Sequence, residues 1–295
     1  MQVLQGKWDA TFSEHSHGFR PRRSAHQAVA KAQQYIAEGK RWVVDLDLEK
    51  FFDRVNHDKL MAAMARRVND KRMLRLMRAF LESGVMENGL VSPVEEGTPQ
   101  GGPLSPLLSN LVLDELDREL ERRQHRFVRY ADDCNIYVVS ERAGKRVMQS
   151  VSGFLRRRLK LKVNEAKSAV ARPQERKFLG FSFTSRAKRR IAPKALLRCK
   201  RRVRELTRRT RGVSLTQMTK ELATYLRGWK GYFGFCETPS VLQALDQWIR
   251  RRLRSVIWKQ RKRRASWRLA DSPVLHAAFP VAYFDSLGLP RLSDG

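Results

Sequence analysis

Two adjacent aspartates, Asp132 and Asp133, follow Tyr130 and Ala131 between two apolar runs, residues 126–130 and 135–140. The runs read as strands and the tetrad as the tip of a β-hairpin, with no Lys or Arg next to the carboxylates to neutralise them. Such a pair repels itself unless a cation sits beside it. Asp is common in ordinary turns, so the dipeptide alone carries little. A second acidic strand, Val43-Val44-Asp45-Leu46-Asp47-Leu48, adds the missing weight. Asp45 and Asp47 share a face by the two-residue strand period, and Asp47 comes last before the chain turns away. With the two strands as neighbours, Asp47 and Asp132 would hold two magnesium ions roughly 3.5–4 Å apart, the arrangement used for in-line phosphoryl transfer. One ion would lower the pKa of an attacking 3′ hydroxyl and the other would neutralise a departing pyrophosphate. The backbone carbonyl of Leu48 offers a further ligand.

The elements that must position these groups are legible nearby. Residues 41–48 read as a strand, after which Asn56 caps a helix whose Leu60, Met64 and Val68 recur every four residues. Glu87-Asn88-Gly89 marks a hairpin turn, because Asn-Gly readily takes positive φ. The glycines and prolines of residues 95–106 forbid a regular element until Pro106 opens a helix with Leu108, Leu111 and Val112 on one side. Within that loop Gln100, Gly101 and Gly102 let the backbone approach a ligand closely, since glycine has no Cβ to obstruct it. Alternating strands and amphipathic helices make the first part an α+β domain, whereas the second part reads as helical throughout.

Charge marks the boundary. The 295 residues hold 60 Lys and Arg against 30 Asp and Glu, a formal charge of +30. Residues 186–264 alone contain 25 of the basic residues and only 4 of the acidic ones. The expected division is 1–185, 186–264 and a C-terminal tail, 265–295. So large an excess implies a polyanionic partner. Nucleic acid fits better than a membrane, because no apolar run approaches the roughly 20 residues that span a bilayer. Cys134, Cys199 and Cys236 lie far apart without a paired motif, so neither a disulfide framework nor a zinc site is expected. The N-terminus lacks the pattern of a signal peptide, and a reducing cytosol is the expected compartment.

In order along the chain stand DLEKFFD (47–53), PQGGPLSPLLSN (99–110), YADD (130–133), LKVNEAKS (161–168) and KFLGF (177–181). This series resembles the palm of a reverse transcriptase, a right-hand polymerase fold with an antiparallel sheet and packed helices, and PQGGPLSPLLSN resembles the form found in group II introns. The resemblance implies that Asp47 rather than Asp45 is the metal ligand, with Asp132 and Asp133 completing the catalytic trio. It also implies that Phe52, rather than Phe51, lies under the nucleotide sugar. There a rigid ring against C2′ would exclude a ribose hydroxyl. Gln100 and Gly101 would then line the incoming nucleotide, and Lys167 would balance triphosphate charge. Phe178, Leu179, Gly180 and Phe181 match the primer grip.

In the basic part, YLRGWKGYFG (225–234) resembles the signature of the group II intron maturase, or thumb, domain. Trp229, Tyr232 and Phe233 suit either a helical core, which is the expectation for most of them, or a stacking surface for RNA. Arg198, Arg201, Arg202, Arg227, Lys230, Arg250 and Arg251 are the expected RNA contacts. Two departures from the family stand out. Arg22 occupies a position that is glycine in the family, and the fingers segment expected before residue 11, with its triphosphate-gripping cations, is missing. The chain is therefore expected to be a fragment, a poor polymerase by itself. No nuclease pattern follows the thumb. The implied function is RNA-directed DNA synthesis from a DNA primer on intron RNA with deoxynucleoside triphosphates and two Mg2+, coupled to splicing assistance. The alternative is a non-polymerising maturase that keeps palm and thumb as an RNA-docking platform.

Overall fold

The computed structural model describes residues 2–82, 85–87, 90–92, 97, 102, 104–260 and 272–294. The chain divides into two compact units, residues 1–179 and 180–295.

The first unit is built on a four-stranded antiparallel sheet in the order β4 (Arg126–Tyr130), β5 (Asp133–Val138), β1 (Trp42–Leu46), β6 (Ala169–Ala171). β1 is central and buried from Val43 to Leu46, on both faces, with Asp45 as the one charged side chain in that stretch. Helix α2 (Ala25–Ala37) packs on β4 and β5, and α6 (Glu141–Phe154) packs on β1, β5 and β6. Ser24 and Gln27 form a capping box at the start of α2. Asn56 accepts from the Lys59 amide at 3.0 Å and starts α3 (His57–Ala65), as its sequence position indicates. Pro106 falls in the first turn of α5 (Ser105–Arg122), which buries Leu108, Leu111 and Val112.

Details differ from expectation where pairing overrides pattern. β5 begins at Asp133, because Asp133 pairs with Tyr130 and leaves Ala131 and Asp132 as a two-residue turn, with Ala131 at φ 57°. The strands flanking the Asn-Gly turn are present as Val85–Glu87 and Leu90–Ser92, paired antiparallel, while Asn88 and Gly89 lie outside the described residues. So do Gln100 and Gly101. Arg22 sits at φ 60°, a conformation that glycine adopts freely and that costs other residues about 1–2 kcal/mol.

The second unit is not helical throughout. It opens with a hairpin, Phe181–Phe183 paired with Arg189–Ile191, before α7 (Pro193–Leu206), α8 (Leu215–Phe233) and α9 (Pro239–Gln260). The C-terminal residues 272–294 pack into the same unit. Leu275, Phe279, Phe284, Leu289 and Leu292 join the core of α7, α8 and α9. Buried Asp246 on α9 accepts from the backbone amides of Leu292 and Ser293 at 3.0 Å and locks the end in place. Two helices of six residues each, Pro273–Ala278 and Val281–Ser286, are too short for a period to be visible in sequence. Among the described residues no helix is long and apolar enough to cross a membrane.

Candidate active site

Asp47 and Asp133 are brought together by strand register. β1 and β5 pair antiparallel from Trp42↔Val138 to Leu46↔Cys134, so the next step sets Asp47 beside Asp133. Residues directly opposite in such a pair point to the same face. Asp132 occupies the adjoining turn, half-buried. Three carboxylates thus gather at one end of the sheet.

The turn is supported from beneath by a buried network. Arg129, fully buried, forks onto Asp117 of α5 with Nε to Oδ1 at 2.8 Å and Nη2 to Oδ2 at 2.6 Å. Its Nη1 donates to the Ala131 carbonyl at 2.8 Å and to Asn110 Oδ1 at 3.0 Å, and its Nη2 donates to Ser16 Oγ at 2.8 Å. Asn110 in turn donates to the Gly18 carbonyl at 2.9 Å. Gly18 lies so close behind the turn that a Cβ there would meet the Ala131 nitrogen at 2.2 Å. None of Ser16, Asn110, Asp117 or Arg129 is among the site residues expected from sequence.

On its other edge β1 is fixed by the segment Asn164–Ser168. The Asn164 amide donates to the Asp47 carbonyl at 2.8 Å, and Ser168 Oγ accepts from the Asp47 amide at 2.9 Å. Lys167, exposed, places Nζ 3.9 Å from Asp47 Oδ1. Leu48 is buried and bridges to Val163. Asp45, two residues before Asp47, is held by Arg176 Nε at 2.7 Å. Burial outweighs that partner and keeps the Asp45 carboxyl above its ordinary pKa.

Asp133 remains under-compensated despite the lysine beside Asp47. Asp133 reaches solvent at its tip, yet the protein packed around it strips hydration, and the charges of Asp45, Asp132 and Asp47 add to the effect. Its pKa is raised to about 6. Among the described residues no three His, Cys, Asp or Glu side chains form a closed metal cage. Hard cations such as Mg2+ are commonly held by one or two carboxylates with substrate phosphates completing the shell, and the open trio fits that pattern. The linkage has a definite sign: between pH 4 and about 6 the folded state holds a proton on Asp133 that the unfolded state has lost. Stability of the metal-free protein therefore falls as pH rises through this window. Asp133→Asn removes that loss, so thermal melts in EDTA should show the variant more stable than wild type at pH 8 and the advantage fading below pH 4. A constant advantage across pH would exclude Asp133 titration as its source.

The two adjacent phenylalanines have separate fates. Phe51 is in the core, whereas Phe52 is half-buried, with ring centres 5.2 Å apart in an edge-on contact. Gly97, at φ 99°, rests on the backbone of Phe52 and Asp53, where a Cβ would lie 2.8 Å from the Phe52 carbonyl. The Gly97 amide donates to the Val55 carbonyl, and His57 Nε2 lies 2.6 Å from the Gly97 carbonyl. The first glycine of that loop is thereby pinned to the turn after Asp47.

Phe178 and Phe181 are buried, and between them Leu179 and Gly180 have φ 51° and 82°, the left-handed pair a tight turn demands. In the second unit, Trp229 is core and Phe233 packs against it. Arg198, Arg201 and Arg202 are exposed on α7, with Arg202 bridging Glu205 at 3.0 Å, while Arg250 and Arg251 are half-buried on α9. Arg227 and Lys230 are differently employed. Arg227 Nη2 donates to the Gly288 carbonyl at 3.2 Å and Lys230 Nζ to the Arg291 carbonyl at 3.0 Å, so both tether the C-terminal segment.

The profile of the family described as Reverse transcriptase (RNA-dependent DNA polymerase) matches residues 2–183, and that of the Group II intron, maturase-specific domain matches residues 196–271. Protein YkfC of Escherichia coli K12 is 39% identical over 127 residues, covering 42% of this chain and 33% of that protein. Group II intron-encoded protein LtrA of Lactococcus lactis subsp. cremoris is 37% identical over 127 residues, covering 43% of this chain and 21% of LtrA. The matched segment thus spans a third or less of these relatives. Among solved structures, apo telomerase from Candida tropicalis superposes with a TM-score of 0.54 at 12% identity, over 88% of this chain and 49% of that one, a likeness of fold alone. Divalent-metal use is general to the first of these families.

Proposed function

Because the chain belongs to the reverse transcriptase (RNA-dependent DNA polymerase) family and carries a group II intron maturase-specific domain, we propose that it takes part in RNA-directed DNA synthesis by a group II intron protein. Its substrates in this reading are intron RNA as template, a DNA primer and deoxynucleoside triphosphates, with splicing assistance through the basic second unit. The strongest support is the apposition of Asp47 and Asp133 across β1 and β5, with Asp132 in the adjoining turn and the Asp133 carboxyl held above its ordinary pKa by burial and by its acidic neighbours. Two magnesium ions bound by Asp47, Asp132 and the Leu48 carbonyl would supply activation of the primer hydroxyl and charge neutralisation at the leaving pyrophosphate.

The chain's own residues do the rest. Lys167, beside Asp47, meets the triphosphate as a mobile charge. Phe52 closes the space beside C2′ of the sugar. The turn Phe178–Phe181 bears on the primer strand, and the arginines of α7 and α9 contact phosphates. The three cysteines are free thiols, which suits a reducing compartment such as a bacterial cytoplasm.

Primer extension on an RNA template tests the whole reading: DNA synthesis should require the divalent cation, stop on chelation and resume on Mg2+ addition. A polymerase-inactive protein that still binds intron RNA would leave only the docking role. Within the same assay Phe52→Ala should raise ribonucleotide incorporation by at least about tenfold, roughly 1.4 kcal/mol of lost discrimination, because the clash goes while the carboxylates stay. Unchanged sugar selection would return Phe52 to a packing role.

A further inference from the structure

Past the end of α7 the chain runs Thr207-Arg208-Arg209-Thr210, and α9 presents Arg252, Ser255 and Lys259 at helical spacing on one face. These seven residues line a cleft of about 350 Å³. Its wall carries four cationic side chains and three hydroxyls, without a carboxylate. Acids on neighbouring segments are already engaged, Glu205 by Arg202 at 3.0 Å and Glu221 by Arg211 at 2.6 Å. Arg208, Arg209 and Lys259 form no ion pair with a described residue.

The cleft is also built rather than merely charged. Thr207, fully buried, gives its hydroxyl proton to the Val203 carbonyl at 2.6 Å and accepts from Arg252 Nε at 2.6 Å. The Arg252 guanidinium lies 5.5 Å from the centre of the Trp248 ring, as does that of Arg204, with Lys200 Nζ at 5.9 Å. Trp248 is a platform on which cations are collected. Burial, then the charges of Arg204 and Arg209, push Arg252 below its ordinary pKa, so the gathering works against itself until an anion arrives. Cations after α7 would also complement its dipole. That effect amounts to about half a charge confined to the last turn, and it gives no reason for Arg252 and Lys259 to converge from a different helix.

From this convergence we infer that the cleft seats consecutive phosphodiesters of a nucleic-acid strand, with the hydroxyls of Thr210 and Ser255 donating to their oxygens while Thr207 holds Arg252 in place, and no base being read. The inference rests on the nucleic-acid-binding part of the proposed function and adds Arg208, Arg209, Arg252 and Lys259, which lie outside the RNA contacts named above.

The experiment compares the full chain with Arg209→Gln/Lys259→Gln and with a charge-matched control, Arg142→Gln/Arg146→Gln, two exposed positions on α6. Affinity for a structured RNA and for a DNA duplex of equal length is measured across salt concentrations, with melting temperatures recorded to confirm that each variant is folded. The cleft pair should reduce the slope of log K against log salt by about 2, roughly 0.9 per lost phosphate contact, and the control should not. A reduction on both ligands assigns a phosphodiester of either source, and one confined to RNA assigns the intron strand. Equal slopes for the cleft and control pairs, with wild type strongly salt-dependent, overturn the cleft alone. Salt-insensitive binding by wild type overturns the nucleic-acid reading itself, and the cleft with it.

Discussion

Primer extension by Asp132→Asn is expected to fall at least a hundredfold, a loss of about 3 kcal/mol of transition-state stabilisation, while affinity for RNA changes by less than about twofold. The two halves have different physical origins. Asp132 sits with Asp47 and Asp133 at one end of the sheet, where an amide keeps the shape but loses the negative charge that a divalent cation needs. RNA affinity comes instead from many phosphate contacts, and one carboxylate among a net charge of +30 barely alters that field. Both readouts belong in one preparation active in extension, with calorimetric Mn2+ titration as a third that does not depend on turnover. Extension surviving at a tenth of wild type would remove Asp132 from the ligand set. A parallel fall in RNA binding would show that the substitution had damaged the fold.

What could be read from the sequence divides along physical lines. Asp47 and Asp132 stood out as candidates because acidic residues in or beside apolar strands have no ordinary explanation; the two-residue period grouped Asp47 with Asp45, whereas strand register sets Asp47 beside Asp133. The Asn56 cap and the Pro106 helix start were legible because local hydrogen bonding decides them. Long-range pairing was not, so the start of β5 was misplaced by two residues and the hairpin opening the second unit was missed, its strands being only three residues each. Arg227 and Lys230 were read as RNA contacts because a cation in a basic helix looks the same whether it meets phosphate or a distant carbonyl. The carbonyls of Gly288 and Arg291 lie 61 residues further along the chain. The network beneath the Ala131-Asp132 turn left a fainter trace: Asp114 and Asp117 interrupt the buried face of α5, and Arg129 stands inside an apolar strand. Charges at core positions mark partners, but a single sequence does not say which.

That network yields the second large effect. Arg129 and Asp117 are both fully buried, and the pair stands or falls together. Burial works against the charged forms, while each ion favours the charge of the other. Asp117→Leu strands a guanidinium in the core and should destabilise the protein by about 3–5 kcal/mol in denaturant unfolding. Arg129→Met/Asp117→Leu removes both charges, and the fold should recover most of that loss, since buried ion pairs are replaceable by apolar groups of similar volume. Function should not recover with it. Arg129 Nη1 is the donor that fixes the Ala131 carbonyl, and without it the two-residue turn holding Asp132 is free to shift by the fraction of an ångström that costs phosphoryl transfer a further tenfold or more. A stable double variant with weakened Mn2+ binding and slow extension makes Arg129 a positioning residue for the metal-binding turn. A stable double variant with unimpaired metal binding makes the network purely architectural. A double variant as unstable as Asp117→Leu would mean that the links from Arg129 to Ser16, Asn110 and Ala131, rather than its charge pairing, hold this side of the sheet together.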